Sequence, residues 1–209
     1  MNYLYPVFLK LENKDCLVIG GGKVAERKIL SLIESKARIT VISPKVSKNI
    51  SDLSRKYPVQ ILKRNYQKGD IKDFFIAIAA TDSDSTNRLI AKEAAKYKIL
   101  CNVVDAPEKC SFFVPSSFHK KDLKIAISTN GKSPSLAKKL REEIQNLIND
   151  EVIELLNLLG KLRKKLKKIY PDDEKKREKI LESIVNSENI LSLTKKDIKK
   201  IKNKIKKWI

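Results

Sequence analysis

The chain has 209 residues, 42% of them hydrophobic and 33% charged, with Gly 6 and Pro 7, a balance that supports a packed core and excludes collagen-like, low-complexity and wholly disordered chains. Lys and Arg outnumber Asp and Glu by 45 to 25, a formal charge of +20 that invites an acidic partner. The longest apolar run, residues 74–80, is far below the ~20 residues of a membrane helix, and the N-terminus has no charged leader before a hydrophobic stretch, so a soluble, cytoplasmic protein is expected.

From residue 15 to residue 104, short apolar runs alternate with amphipathic segments, the pattern of a parallel sheet with crossover helices. Strands are predicted at 15–19, 38–42, 58–63, 74–79 and 99–103, with helices over 24–33, 46–56 and 85–97 between them. The fold class is therefore α/β, a doubly wound Rossmann-like layer. Residues 111–116 and 123–129 read as two further strands joined by a polar tip at 119–122. Ser133-Pro134 opens a helix, because proline at the first helical position loses no hydrogen bond. Beyond it Val152, Leu155, Leu156, Leu159, Leu162, Leu166 and Ile169 form one apolar helical face, which Pro171 ends. Two more helices are predicted near 174–186 and 194–208, the last with Ile198, Ile201, Ile205 and Trp208 on one side.

Within this frame Gly20-Gly21-Gly22-Lys23-Val24-Ala25 follows the first strand and opens a helix, the context that makes a glycine-rich turn a dinucleotide site. Gly20 serves the tight turn, Gly22 lets backbone approach a pyrophosphate, and Ala25 keeps helix and sheet close. The acid that commonly binds the ribose about 20 residues on is absent: the second strand runs into Ser43-Pro44-Lys45. On these residues NAD and NADP both remain open. Ala126 to Ser133 resembles a relaxed P-loop, but it has one glycine, Pro134 removes an N–H at the helix start, and no later strand supplies an Asp for magnesium.

Ligands in such sheets bind at the carboxyl ends of the strands. Thr81 is expected to face the nicotinamide side of the cleft, and Asp105 to stand beside the substrate as a proton acceptor or metal ligand. The alternative for Asp105 is a turn residue whose carboxylate bonds backbone N–H groups. Asn102 is a substrate-side candidate or a local cap. His119 reads as a solvated loop residue, and Cys16 and Cys101 as buried small hydrophobes. Three cysteines without a CxxC or Cys/His cluster give neither a disulfide framework nor a zinc site, so no metal ligands are assigned.

The glycine turn, Ala79-Ala80-Thr81-Asp82, Asn87, Asn102-Val103-Val104-Asp105-Ala106-Pro107, Ser111-Phe112 with Pro115, and Ser128-Thr129-Asn130-Gly131-Lys132-Ser133-Pro134 occur in order. Together with Tyr5-Pro6-Val7-Phe8-Leu9 and Val24-Ala25-Glu26-Arg27-Lys28 they make a chain that resembles the precorrin-2 dehydrogenases of sirohaem synthesis over about residues 3–148. The resemblance implies oxidation of precorrin-2 to sirohydrochlorin with NAD, and in some relatives insertion of ferrous iron. It implies an NAD-binding Rossmann domain at 1–112, a dimerisation segment at 113–148 whose strands pair across a homodimer, and a helical domain at 149–209. By resemblance Asp105 is catalytic. Gly20, Gly22, Lys23, Val24, Pro44, Lys45 and Thr81 bind the cofactor, and Asn102, Thr129, Gly131, Lys132 and Ser133 hold the substrate. Thr129 stands where some relatives carry a phosphorylatable serine. The methyltransferase domain of the larger synthases has no room in these residues.

A competing reading is a nucleotide-sensing module whose basic tail contacts nucleic acid, since residues 151–209 hold 18 basic against 9 acidic side chains. Without stacking aromatics among those lysines, sequence-specific recognition is not expected.

Overall fold

The computed structural model describes residues 4–206 and 208; residues 1–3, 207 and 209, which belong to the first and last expected segments, lie outside the described residues. The chain forms two compact units, Met1–Val114 and Pro115–Ile209.

The first unit is a five-stranded sheet of β1 (Asp15–Ile19), β2 (Arg38–Ile42), β3 (Val59–Leu62), β4 (Ile76–Ala79) and β5 (Leu100–Val103). All pairings are parallel and the order is β3-β2-β1-β4-β5. Both faces are covered, as parallel sheets require. Alternation along β1 shows it: Cys16 and Val18 pack with Ala25 and Ile29 of α1 (Lys23–Glu34) and Ile50 of α2 (Lys48–Ser54). Leu17 and Ile19 pack with Ile90 and Ala94 of α3 (Asp84–Tyr97) on the other face. The chain reverses direction across the sheet between β1 and β4, so their carboxyl ends form the switch point where doubly wound sheets take ligands.

In the second unit β6 (Ser116–Lys120) and β7 (Leu123–Ile127) form an antiparallel hairpin, followed by α4 (Pro134–Leu147), α5 (Asp150–Ile169), α6 (Glu174–Val185) and α7 (Lys195–Ile205). This corrects the hairpin read from the sequence. Its first strand runs over residues 116–120 and not 111–116, the turn is Lys121-Asp122 with Lys121 at φ 53°, and His119 is an exposed strand residue. The physical cause is at Pro115, which has no N–H for a ladder, and at Ser111 and Phe112, which bond to β5 instead. Leu155, Leu162 and Leu166 of α5 pack with Ile184, Ile198, Ile201 and Ile205, whereas Leu156 and Ile169 of the predicted apolar face are 37% and 49% exposed. Thr194 and Asp197 close a capping box that starts α7. Among the described residues no helix is long and apolar enough to cross a membrane.

Candidate functional site

At the carboxyl ends of the sheet a cleft of about 700 Å³ is lined by residues 19–24, 42–47, 65, 66, 80–83 and 86. Gly20, at φ +125°, forms its tight turn; its N–H donates to the Ile42 carbonyl at 3.0 Å, and a Cβ there would sit 2.1 Å from the Ala80 carbonyl oxygen. Gly21 is equally confined, since a Cβ would lie 1.9 Å from the Lys45 carbonyl oxygen, and its own carbonyl accepts from the Ser47 N–H at 2.9 Å. Nothing lies within 4 Å of the Cβ position of Gly22. Gly22 is also the N-cap of α1, and no side chain caps that end. A helix terminus with uncapped N–H groups and open space in front is what a pyrophosphate requires. The residues present therefore fit a dinucleotide.

The loop after β2 folds over the turn. Ser43 is buried and its hydroxyl donates to the Lys45 carbonyl at 2.6 Å, while Pro44 and Lys45 stay exposed at the rim. Glu26 of α1 fastens the loop from the other side, accepting from Ser47 Oγ at 3.1 Å and from Asn49 Nδ2 at 2.9 Å. Across the cleft Thr81 Oγ1 donates to Asn87 Oδ1 at 2.7 Å, and Asn87 Nδ2 returns a bond to the Thr81 carbonyl at 3.0 Å. Buried Asn87 thus fixes the loop between β4 and α3, and Ser83 caps that helix through the Thr86 N–H.

Gly20, Gly22, Lys23, Val24, Pro44, Lys45 and Thr81 all line this one cleft. Asn102 and Asp105 do not. Buried Asn102 donates to the Phe112 carbonyl at 3.1 Å and so serves the edge of β5, where Ser111 Oγ also takes the Cys101 N–H at 2.7 Å. The turn after β5 holds Asp105 at φ 59°, with Cys110 Sγ 3.2 Å from the Val103 N–H that donates to it. Lys109 anchors the following 3₁₀ turn, Pro107–Lys109, to Asp84 at 2.9 Å. The Arg88 guanidinium, with Lys109, holds the Asp84 carboxyl down at about 2. Asp105 is exposed and its carboxylate has no hydrogen-bond or ion-pair partner among the described residues, unlike the turn-capping alternative. In the second unit Thr129 Oγ1 donates to the Ser133 carbonyl at 3.0 Å and accepts from its N–H at 3.2 Å, while Ser133 Oγ caps α4 through the Leu136 N–H. Gly131, at φ +77°, and Lys132 are exposed on that loop.

Motif reading did not assign Gly21, Asn65 or Tyr66 to the site, because what confines or places them lies far along the chain; Asn87, only six residues from its partner Thr81, stood in the family pattern without a role. A second cavity, of about 730 Å³, lies at the amino ends of the strands, lined by residues such as Lys14, Arg38, Lys72 and Lys98, and has no part of the glycine turn. Among the described residues no three His, Cys, Asp or Glu gather as a metal site.

Comparison with known proteins agrees with this geometry. A family described as putative NAD(P)-binding matches residues 7–116, and one described as sirohaem biosynthesis protein central matches residues 120–147. The siroheme synthase of Thioalkalivibrio sulfidiphilus is 37% identical over 184 residues, 87% of this chain and 38% of that protein. The siroheme synthase of Citrobacter koseri is 33% identical over 196 residues, 94% of this chain and 43% of that protein. The chain thus spans about two fifths of these relatives. Among solved structures, SirC, a precorrin-2 dehydrogenase, superposes with a TM-score of 0.78 at 25% identity, covering 98% of this chain and 100% of that one.

Proposed function

Since the chain belongs to the NAD(P)-binding, sirohaem-biosynthesis family of the precorrin-2 dehydrogenases, we propose that it oxidises precorrin-2 to sirohydrochlorin with NAD as acceptor. The observation that carries the reading is the uncapped, unobstructed N-terminus of α1 at Gly22, beside the turn that Gly20 and Gly21 alone can form. The bound nicotinamide supplies a hydride acceptor. Lys23 and Val24 offer backbone N–H groups to the pyrophosphate at the positive helix end. Pro44 and Lys45, at one rim of the cleft, would border the adenosine ribose, and Thr81, fixed by Asn87, would border the nicotinamide. NAD is taken from the family likeness; in the cleft itself the Ser43 hydroxyl is engaged by the Lys45 carbonyl and the Lys45 side chain is exposed at the rim.

Removing two hydrogens from the macrocycle takes one as hydride and releases the other as a proton. Asp105, an exposed carboxylate without a competing partner, is assigned as the acceptor of that proton. Asn102 supports this end of β5, and the loop of Thr129, Gly131, Lys132 and Ser133 is assigned to the substrate's carboxylates, Lys132 by charge, Gly131 by its backbone and Ser133 by its hydroxyl proton, while Thr129, whose own hydroxyl donates to the Ser133 carbonyl, shapes the loop. The test is Asp105→Asn. Its fold and NAD affinity are expected to match the parent, and turnover to drop by about two to four orders of magnitude, the scale of general-base catalysis. Near-parental turnover would remove Asp105 from the mechanism. Insertion of ferrous iron as a second substrate is assigned to the same carboxylate; it requires acceleration over the spontaneous rate of metallation.

A further inference from the structure

The connection between β3 and β4 occupies residues 63–75, long for this sheet and without a helix of its own, yet it is heavily bonded. Arg64 grips Asp70 through two bonds, at 2.6 and 2.9 Å, and the Gln67 N–H donates to the same carboxylate at 2.7 Å. The loop is also fastened to α3. The Tyr66 hydroxyl donates to Glu93 Oε2 at 2.6 Å and the Gly69 N–H to Glu93 Oε1 at 2.9 Å. Glu93 is 4% exposed, so its charge is met by these two donors in the interior. Burial first, and then Glu93, push the Tyr66 phenol well above its ordinary range, which keeps it a donor at any physiological pH.

What this bracing presents is Tyr66, half-buried, packed against the core on the α3 face of the sheet and among the residues that line the cleft. Its place in the sheet is informative. With pyrophosphate at the N-terminus of α1, the adenosine half extends toward the end of β2. β3 is the next strand outward, and residues 65 and 66 border the cleft on that side.

We propose that Tyr66 is the platform on which the purine base of the cofactor stacks, and that Glu93 and the Arg64–Asp70 pair are its positioning residues. The inference rests on the dinucleotide reading of the cleft and not on the identity of the reduced substrate. Because the hydroxyl is committed to Glu93, Tyr66 offers the base its face rather than a hydrogen bond. A ring already immobilised loses little entropy on binding.

The experiment compares the full-length parent, Tyr66→Ala and Tyr66→Phe. NAD and ADP-ribose are titrated by calorimetry, and nicotinamide mononucleotide by ligand-observed NMR. Tyr66→Ala should weaken NAD and ADP-ribose together by about tenfold, within the range of base–aromatic stacking, and leave the mononucleotide unchanged. Tyr66→Phe keeps the ring and should stay within about threefold of the parent. NAD affinity within twofold of parent in folded Tyr66→Ala would overturn the proposal. So would equal loss of the mononucleotide, which would make Tyr66 a support for the loop alone. A parent that binds no dinucleotide removes both this inference and the reading beneath it. A parent that binds NAD but leaves precorrin-2 unchanged removes only the reaction, and the calorimetry still decides on Tyr66.

Discussion

Gly20, Gly21 and Gly22 are adjacent in sequence and constrained by different things. At Gly20 and Gly21 the chain itself fills the space a side chain would need, whereas at Gly22 the space is open, and we assign it to the ligand. This separates fold from function at neighbouring positions. Gly20→Ala must displace the Ala80 carbonyl and hold φ +125°, so it should lower stability by about 1–3 kcal/mol, read as a fall in the urea midpoint. Gly22→Asp places a good N-cap at α1 but a negative charge against the pyrophosphate. It should leave the melting temperature unchanged or higher and weaken NAD at least tenfold; unchanged NAD affinity would move the phosphate away from α1. The strand, turn and helix order made Gly20 and Gly22 legible in the sequence. Gly21 was not, because the Lys45 carbonyl that excludes a side chain comes from a loop 24 residues further on. Tyr66 was hidden for the same reason, its partner Glu93 being 27 residues away.

Among the elements, the five strands were readable because each is a short, mainly apolar run, most completely so in β1 and β4 at the centre of the sheet, whereas their order came only with the structure. The hairpin was misplaced because residues 111–113 are apolar enough for a strand while serving another element: Ser111 and Cys110 bond along the outer edge of β5, a job that composition does not reveal. The strands also carry a pH signature. Burial pushes the thiols of Cys16 and Cys101 up to about 11 and about 12, from ordinary values of 9.0. Above pH 9 the unfolded chain releases these protons while the folded chain keeps them, so their contribution is full below pH 9 and is lost as pH rises toward 11 and 12. The melting temperature should therefore fall more steeply above pH 9 in the parent than in a Cys16→Ala/Cys101→Ala variant; parallel curves would contradict the burial of both thiols. In the helical unit Ile201, 1% exposed, lies at the centre of the α5–α6–α7 core, and Ile201→Ala should cost about 2–5 kcal/mol in chemical unfolding.

For the whole molecule, the +20 charge and the two-stranded sheet of the second unit bear on partners. A substrate rich in carboxylates is steered by a basic protein, and that attraction is screened by salt. We expect kcat/KM for precorrin-2 to fall as ionic strength rises, and NAD affinity to change much less. The family likeness leads us to expect a homodimer formed through residues 113–148, and within that segment α4 exposes Leu136, Leu140 and Leu147 by 51%, 36% and 48%. Light scattering should give twice the 23.9 kDa of the chain, and Leu140→Glu should return it to the monomer. The sequence showed the amphipathic character of the tail helices but not their packing, since lysine-rich faces solvate equally well in many arrangements. The central claim is tested most directly by anaerobic incubation of the full chain with freshly generated precorrin-2, with and without NAD, following NADH and the visible spectrum together. The account predicts sirohydrochlorin and NADH in equal amounts, only when NAD is present. Folded protein that binds NAD yet produces neither would contradict it.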